Sequence, residues 1–351
     1  MLPRLRFVAC LLLATQVASA QQVRIGVLGL FHPRQITLQA APAQAVIVHA
    51  GTRSFTLERS SGQDTAEIKI SGGGLIFQIG DQSIETSSLR ASSRSNDGAD
   101  FVLGVPGKIT RRYRGVLEVK AVAGTLVPVV QMDLETAVAS VVQAESAPDT
   151  PLEALKAQAV ATRSYFIAAR GRHHEFDFCD TTHCQFLRQQ PPTGSDASHA
   201  AKDTRGLVLA YRDQAVAAMF TRSCGGRTRT PQEVGLSTHT YPYFSVLCDY
   251  CLRHPSNWVR RVSASEAVEL REHGEASRLA VDRRLGWDAV PSNNFSARGD
   301  SQGVILEGRG EGHGIGLCQA GGKAMAQAGA SYREILDHYY PNTMLVDRST
   351  K

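Results

Sequence analysis

One acidic residue, Glu145, has the sequence context of a group that could do chemistry. It falls on the same face as a preceding apolar helix stripe, which consists of Leu134, Ala137, Val138, Val141 and Val142. Pro148 must end that helix, so Glu145 lies in the last turn, where the backbone dipole and apolar surroundings both raise a carboxyl pKa. A carboxyl with a raised pKa can act as a general acid near neutral pH. The alternative is an ordinary surface carboxylate at a frayed helix end.

A second candidate group combines histidines and cysteines in one short stretch. Cys179, His183 and Cys184, with either His173 or His174, supply the thiolate and imidazole ligands that bind zinc tetrahedrally. Neighbours on a strand point to opposite faces, so His183 and Cys184 can share a site only if they lie in a loop. The spacing leaves two interpretations open, a zinc site and a disulfide between Cys179 and Cys184.

Four further cysteines follow in the second half of the chain. Cys248 and Cys251, with Cys224, could form a second metal site or a loop closed by oxidation, and we expect a structural role in either case. Including Cys318, six cysteines remain outside the first 20 residues. An even number in an exported chain is also compatible with disulfides.

Two helices that meet near a proline are predicted to position Glu145. Asp133 is the expected N-cap of the first helix. The second should begin with Thr150 as N-cap, Pro151 at the first helical position and Glu153 closing a capping box.

The second helix carries its own apolar stripe, formed by Leu152, Leu155, Ala159, Thr162 and Phe166. Gln158, Arg163 and Tyr165 flank this stripe. Arg163 can reach Glu145 only if the turn between the helices is tight, and we expect it to orient Glu145 or to stabilise charge there.

The first 20 residues have the pattern of a signal peptide. Arg4 and Arg6 precede an apolar segment at positions 7–17, and small residues follow at positions 18–20. The segment is too short to span a membrane, and no other stretch is long enough. We therefore expect an exported chain that begins near Gln21. Without Arg4 and Arg6 its formal charge falls from +5 to +3, a mild excess that suits an anionic polymer or an ordinary solvated surface.

Residues 21–108 alternate apolar and polar side chains with a period of two, which predicts a β-rich region with no catalytic constellation. The polar segment Ser87–Asp100 is expected to be a loop. The predicted strands begin at Val23, Gln35, Ala45, Ser54, Glu67, Leu75 and Gly115. With the helices that follow, the chain is predicted to be an α+β protein: a β-rich N-terminal region followed by a mixed α/β region at residues 109–347.

A glycine-rich block from Gly308 to Gly316 has glycine at every second position. Such a run favours neither helix nor strand, so it indicates a tight turn or a backbone held close to a ligand. It lacks the ending of a phosphate-binding loop. Downstream, Gly329 should stop a helix, and Ser331 with Glu334 should form a capping box for the last one.

Four ordered blocks together resemble the SpoIID/LytB family, the sporulation stage II protein D and its relatives. They cover roughly the C-terminal two-thirds of the chain, which suits one or two domains. The blocks are residues 141–148 with 152–165, residues 178–185, residues 223–228, and residues 312–319 with the trailing 332–341. The sequence departs from the common family pattern at Ser146, Cys318 and Ala320, and the last change puts sugar stacking in doubt.

The resemblance implies an exported peptidoglycan lytic transglycosylase at the cell wall. Glu145 would be its general acid and base, cutting the MurNAc–GlcNAc bond to give 1,6-anhydroMurNAc ends, with Arg163 as a second catalytic residue. Some SpoIID-like proteins bind zinc with the histidine and cysteine cluster, so a structural zinc is expected there. The candidate substrate contacts on glycan strands are Gln158, Gln185, Ser223, His313 and Gln319.

Two other functions stay open at this point. A non-catalytic module could bind glycan and enhance a cell-wall amidase, as the LytB side of the family implies. A zinc hydrolase is less favoured because cysteine-rich zinc sites are usually closed. No basic and aromatic cluster or helix-turn-helix pattern suggests nucleic acid.

Overall fold

The computed structural model describes residues 21–237, 241–272 and 274–348. The predicted signal peptide, residues 1–20, lies outside the described residues. Within the described ranges, no helix combines the length and the apolar character needed to cross a lipid bilayer.

Twelve strands among the described residues form one curled sheet, antiparallel except where β1 and β12 pair in parallel. They are β1 (Gln22–Gly26), β2 (Gln35–Ala40), β3 (Ala45–Ala50), β4 (Arg53–Glu58), β5 (Thr65–Ser71), β6 (Gly74–Ile79), β7 (Gln82–Thr86), β8 (Ser88–Ser92), β9 (Ala99–Val105), β10 (Ile109–Val122), β11 (Thr125–Asp133) and β12 (Phe178–Cys179). Alternate side chains are buried in β2 to β6, as Val46, Val48 and Ala50 are in β3, whereas β7 has no buried residue. The predicted period of two is therefore confirmed for β2 to β6.

The long strand β10 lets the sheet curl over one core. Its first half pairs with β9 and its second half with β11 and β8, and the change occurs at Gly115. A Cβ at Gly115 would lie 2.3 Å from the backbone oxygen of Gln131, so only glycine fits this crossing. The sheet continues across the predicted boundary between residues 108 and 109, and the division into two regions stays a prediction.

The expected loop at Ser87–Asp100 is wrong over part of its length. Ser88–Ser92 forms β8, which pairs with both β3 and β10, and Leu89 and Ala91 are buried. Pairing on both edges supplies the backbone hydrogen bonds that its polar composition did not indicate.

The helices of the described residues contribute to three different hydrophobic cores, and α2 joins two of them. They are α1 (Leu134–Glu145), α2 (Leu152–Ala168), α3 (Asp196–Asp203), α4 (Asp249–Arg253), α5 (Ala264–Glu272), α6 (Gly274–Leu285), α7 (Gln319–Gln327) and α8 (Tyr332–Tyr339). One face of α2 joins the core of the curled sheet through Leu155 and Phe166. Another joins a second core, shared with α8, through Ala157 and Val160. Because α2 joins two cores, residues expected to flank its stripe are buried as well.

Three small sheets complete the described part of the chain. β13 (Leu207–Tyr211) pairs with β14 (Gln214–Ala215) and with β20 (Met344–Asp347), and β15 (Phe220–Thr221) pairs with β19 (Leu317–Cys318). β16 (Asn257–Val262), β18 (Gly303–Arg309) and β17 (Phe295–Asp300) form a sheet with its own core around Trp258 and Leu306. The architecture is α+β with a β-rich N-terminal region, as predicted.

Candidate functional site

Glu145 is the last residue of α1, and local sequence signals explain why. The Asp133 carboxylate caps the helix by accepting a hydrogen bond from the Thr136 N–H at 3.1 Å. Ser146 is extended, two residues before Pro148, so the helix stops there. The predicted apolar stripe is fully buried, which confirms the helix face on which Glu145 was placed.

The predicted capping box of α2 is wrong. The Thr150 hydroxyl instead donates to the Ala147 carbonyl at 2.7 Å and closes the turn between the helices. The Glu153 carboxylate accepts a hydrogen bond from the Tyr332 N–H at 2.8 Å. Both side chains thus serve other contacts, and Pro151 is the N-cap without a side-chain hydrogen bond. The Ser331–Glu334 capping box of α8 is confirmed.

The Glu145 carboxyl is half-buried and held at one oxygen. The backbone N–H of Phe186 donates to Oε1 at 3.0 Å. Burial raises the pKa of Glu145 to about 7, against the opposing effects of that hydrogen bond and of the Arg222 and Arg188 charges. At neutral pH such a group can both give and take a proton.

Of the three glutamines named as candidate substrate contacts, Gln319 contacts the backbone of Glu145. Gln319 Nε2 donates to the Glu145 backbone carbonyl at 3.2 Å and lies 3.5 Å from Gln158 Oε1. Gln185 precedes Phe186, and its Nε2 donates to the Thr162 carbonyl at 3.4 Å. The Oε1 of Gln185 is buried without a hydrogen-bond partner among the described residues. Gln158 and Gln185 are buried, so of the three Gln319 is the more exposed.

Arg163 is fully buried and takes part in a different interaction. Its Nε and Nη2 form a two-pronged ion pair with Glu135, at 2.9 and 2.6 Å. Nη1 donates to the Leu207 carbonyl at 3.1 Å and to Thr204 Oγ1 at 3.4 Å, and Nη2 also donates to the Ala201 carbonyl at 3.0 Å.

These contacts use every N–H that a guanidinium offers. Arg163 therefore ties α1, α3 and β13 to α2, and none of its hydrogen bonds reaches Glu145. The contacts of Arg163 are therefore structural, and its expected role at Glu145 stays a prediction.

Ser223 and His313 lie in the segments next to the glutamines rather than against Glu145. The Ser223 hydroxyl is buried, 3.5 Å from Cys251 Sγ. The ring Nδ1 of His313 accepts a hydrogen bond from the Ile315 N–H at 3.0 Å, and burial lowers the pKa of His313. Their roles as substrate contacts stay predictions.

The glycine run is held close to neighbouring protein backbone. Gly310, Gly312, Gly314 and Gly316 all have positive φ values. A Cβ at Gly316 would lie 2.0 Å from the Met219 carbonyl oxygen. The glycine run thus allows β19 and the residues that precede it to pack closely against β15.

His173, Cys179, His183 and Cys184 come together as one cluster, with ligand atoms within 4.8 Å of one another. His173 Nε2 is 3.3 Å from Cys184 Sγ, and His183 Nδ1 is 3.6 Å from that sulfur and 3.8 Å from Cys179 Sγ. Two ligands of one tetrahedral zinc, at about 2.05 Å for nitrogen and about 2.3 Å for sulfur, stand about 3.6 Å apart. The donor set and its spacing fit a zinc ion.

The surrounding chain explains how this cluster forms. Cys179 ends β12 beside β1, and a turn from Thr181 to Cys184 brings the second thiol back. The expected loop around His183 and Cys184 is confirmed. Hydrogen bonds from Cys184 and His183 lower the pKa of the Cys179 thiol, which favours the thiolate that a metal needs.

His174 does not belong to the cluster. Its side chain is 97% exposed and pairs with Glu175 at 3.1 Å. The choice between His173 and His174, which the sequence left open, falls on His173 because His173 stacks over Phe176 and faces the His183 ring.

Two cationic residues near Glu145 were not predicted. Arg188 lies with its guanidinium 4.6 Å from the centre of the Phe186 ring, and Arg222 pairs with Glu311 at 3.2 Å. Both are exposed and both lower the pKa of Glu145 through their charge. Arg222 directly precedes a motif that the sequence did single out, at residues 223–228, whereas Arg188 carries no such signal.

The family model described as stage II sporulation protein (SpoIID) matches residues 123–211. The matched segment contains α1, α2, Glu145 and the histidine and cysteine cluster. It therefore covers the central part of the site, while Arg222 and Gln319 lie beyond it.

Relatives extend the similarity over more of the chain. An uncharacterised protein of Brachyspira hyodysenteriae is 31% identical over 269 residues, covering 67% of this chain and 72% of that protein. The amidase enhancer of Bacillus subtilis is 25% identical over 274 residues, covering 55% of this chain and 38% of that protein. Stage II sporulation protein D of Bacillus subtilis is 25% identical over 255 residues, covering 60% of this chain and 74% of that protein. The chain belongs to the SpoIID family.

Proposed function

We propose that this chain is an exported lytic transglycosylase that cleaves peptidoglycan glycan strands, with Glu145 as its general acid and base. Similarity to proteins named stage II sporulation protein D and amidase enhancer supports a role at the cell wall. The observation that carries the proposal is a half-buried carboxyl whose pKa is raised to about 7 by burial. That proton affinity suits a group that must donate a proton and then recover it.

The hydrogen bond at Oε1 favours Oε2 as the reacting oxygen. Because the Phe186 N–H donates to Oε1, we place the acid proton on Oε2 of Glu145. Oε2 protonates the glycosidic oxygen, the bond to the muramoyl C1 breaks, and the leaving sugar departs with that proton. The resulting carboxylate takes the proton of the muramoyl 6-hydroxyl as its oxygen attacks C1. The product is a 1,6-anhydro sugar, the carboxyl is restored and no water is consumed.

This reaction needs one carboxyl, because the 6-hydroxyl of the sugar takes the place of water. Retaining and inverting glycosidases position two carboxyl groups on the scissile bond. The charged groups that lower the pKa of Glu145 are Arg222 and Arg188, and Arg222 also pairs with the Glu311 carboxylate at 3.2 Å. The exposed guanidinium groups can stabilise negative charge on Glu145 after it donates its proton.

We also propose that His173, Cys179, His183 and Cys184 hold a structural zinc ion. All four positions of a tetrahedral ion would be filled by protein, which leaves none for a reacting water. The ion would tie β12 to the loop that ends at Phe186, whose N–H holds Glu145. Its contribution is to the order of that loop, because metal-binding free energy there is folding free energy.

Digestion of purified glycan strands, followed by mass spectrometry of the product ends, tests the reaction. We expect 1,6-anhydro-muramoyl ends from the unchanged protein. Glu145→Gln should give none. The matched control is Glu307→Gln, which changes an exposed glutamate in β18 and should give the same products as the unchanged protein. Reducing ends in place of anhydro ends would contradict the transglycosylase.

The second candidate function is enhancement of a cell-wall amidase through glycan binding. The similarity to the amidase enhancer of Bacillus subtilis favours it. It differs from the first in not needing the carboxyl: Glu145→Gln would still stimulate amidase release of peptides from intact cell walls. If Glu145→Gln loses both the stimulation of the amidase and the anhydro ends, the carboxyl-independent enhancer function is excluded and the transglycosylase remains.

A further inference from the structure

The four cysteines not used by the first cluster meet in one buried place. Cys224 follows β15, Cys248 and Cys251 lie at the start of α4, and Cys318 ends β19 and caps α7. Their exposed fractions are 2%, 2%, 1% and 0%. The sequence grouped Cys224 with Cys248 and Cys251, and the structure adds Cys318, which is 67 positions beyond Cys251.

Their spacing suits a shared metal ion. All four sulfur atoms lie within 4.8 Å of one another, and Cys251 Sγ is 3.6 Å from Cys318 Sγ. Two thiolates on one tetrahedral zinc, with bonds of about 2.3 Å, stand about 3.8 Å apart. Two sulfurs of a disulfide would be about 2.05 Å apart. Cys248 and Cys251 also have the C-x₂-C spacing common among zinc ligands.

Hydrogen-bond donors already point at these sulfurs. The backbone N–H groups of Cys224 and Gly321 donate to Cys318 Sγ at 3.3 and 3.5 Å. The Tyr339 hydroxyl donates to Cys248 Sγ at 3.4 Å. Such donors stabilise ligand sulfur that carries negative charge, and the N-terminus of α7 adds its positive dipole at Cys318.

The close packing around the sulfurs leaves room for little else. A Cβ at Gly321 would lie 2.5 Å from Cys248 Sγ and 2.0 Å from the Tyr339 hydroxyl oxygen. A site this enclosed, with four protein ligands, offers no open position for a substrate.

From this geometry we infer that Cys224, Cys248, Cys251 and Cys318 form a second, closed zinc site. It is separate from the histidine-containing cluster, uses four thiolates and joins three segments that are distant in sequence. The small three-stranded sheet with α5 and α6 lies between Cys251 and Cys318 in the chain, so the ion fixes both ends of that insertion.

The site also has a positional consequence that rests on the proposed function. Cys318 directly precedes Gln319, which contacts the Glu145 carbonyl, and Arg222 lies two residues before Cys224. The ion therefore fixes two chain segments that reach the candidate acid. Its existence, however, is tested without any measurement of activity.

Metal content and X-ray absorption at the zinc edge test the inference on the purified full chain. We expect about two zinc ions per chain, one for each closed site. Cys179→Ser should lose one, and the zinc that remains should show four sulfur neighbours at about 2.3 Å. This variant leaves the four-cysteine site intact, so the test does not depend on the folding of a core variant.

Cys248→Ser supplies the reciprocal arm. It should lose the four-sulfur signal and keep a zinc with mixed nitrogen and sulfur neighbours. If the histidine-containing cluster binds no zinc, the unchanged protein will contain one ion with four sulfur neighbours, and the second site stands. Disulfides mapped among these four cysteines, iron in place of zinc, or a folded Cys179→Ser protein without zinc would each overturn it.

Discussion

The two ends of α1 each carry a glutamate, and their surroundings are opposite. Glu135 in the first turn is locked in a two-pronged ion pair with the buried Arg163, at 2.9 and 2.6 Å. Glu145 in the last turn accepts one hydrogen bond from a backbone N–H and, within the described residues, forms no ion pair. Burial raises its pKa to about 7.

The difference teaches that the partner, rather than the residue type or the helix, decides what a glutamate does. A carboxylate held by a buried guanidinium is committed to joining elements, because separating the pair leaves a buried charge. A half-buried carboxyl that forms no ion pair can exchange its proton near neutral pH. One helix thus provides a structural acid and a candidate catalytic acid ten positions apart.

The largest expected effect comes from Glu145→Gln. The amide cannot donate or accept the transferred proton, so turnover on glycan strands should fall by about 10²–10⁴-fold. The free energy of unfolding should not decrease, because no ion pair is lost. Steady-state assays with chemical denaturation measure both quantities. Unchanged turnover would remove Glu145 from the reaction.

Arg163→Ala should lower the free energy of unfolding and leave turnover unchanged, the opposite of Glu145→Gln. It leaves the Glu135 carboxylate without its partner, so the free energy of unfolding should fall by about 3–5 kcal/mol. Turnover per folded molecule should be retained. The matched control is Arg298→Ala, which breaks an exposed pair with Glu307 and should change stability by at most about 1 kcal/mol. A stable Arg163→Ala protein with reduced turnover would return Arg163 to the catalytic site.

The pH dependence of turnover tests the raised pKa of Glu145. The acid form of Glu145 must protonate the glycosidic oxygen, so kcat/KM should fall as pH rises through about 7, the raised pKa of this group. A pH–rate profile on soluble glycan strands measures the midpoint. A midpoint near the ordinary glutamate pKa of 4.5 would contradict the burial of this carboxyl.

The free energy of unfolding should also depend on the protonation of Glu145, and it should decrease as pH rises. The folded-state pKa of Glu145 lies above its unfolded value, so the folded protein binds the proton more tightly. The resulting stabilisation is complete below pH 4.5 and is lost as pH rises through about 7. Denaturation across this range should show the decline in the unchanged protein and a smaller one in Glu145→Gln. Identical slopes would contradict the shift.

The smallest effect is expected from Gln319→Ala. It removes the hydrogen bond to the Glu145 carbonyl, an interaction of about 0.5–1.5 kcal/mol, so kcat should fall by about 2–10-fold. A purely structural role would change the melting temperature and leave the pH–rate midpoint in place. A positioning role should move that midpoint, because the helix end that holds the carboxyl shifts. An unchanged kcat would exclude Gln319 from positioning.

Much of the fold could be predicted because its signals are local. The period of two predicted β1 to β6 and the second half of β10, but not β7 to β9, and Asp133 with Pro148 predicted both ends of α1. The polar strand β8 was not predicted, because its stability comes from pairing with β3 and β10, which lie far away in sequence. The capping box of α2 failed for a related reason, since Glu153 contacts Tyr332, 179 positions away.

The sequence by itself determined that Glu145 lies in the last turn of α1 with the apolar face of the helix buried, and that Cys179, His183 and Cys184 lie close together along the chain. Helix periodicity and short-range spacing suffice for both. Only the tertiary structure decided that Arg163 binds Glu135, that His173 rather than His174 completes the first cluster, and that Cys318 joins Cys224, Cys248 and Cys251. Those outcomes depend on which distant segments share a core, and neither composition nor spacing encodes that choice locally.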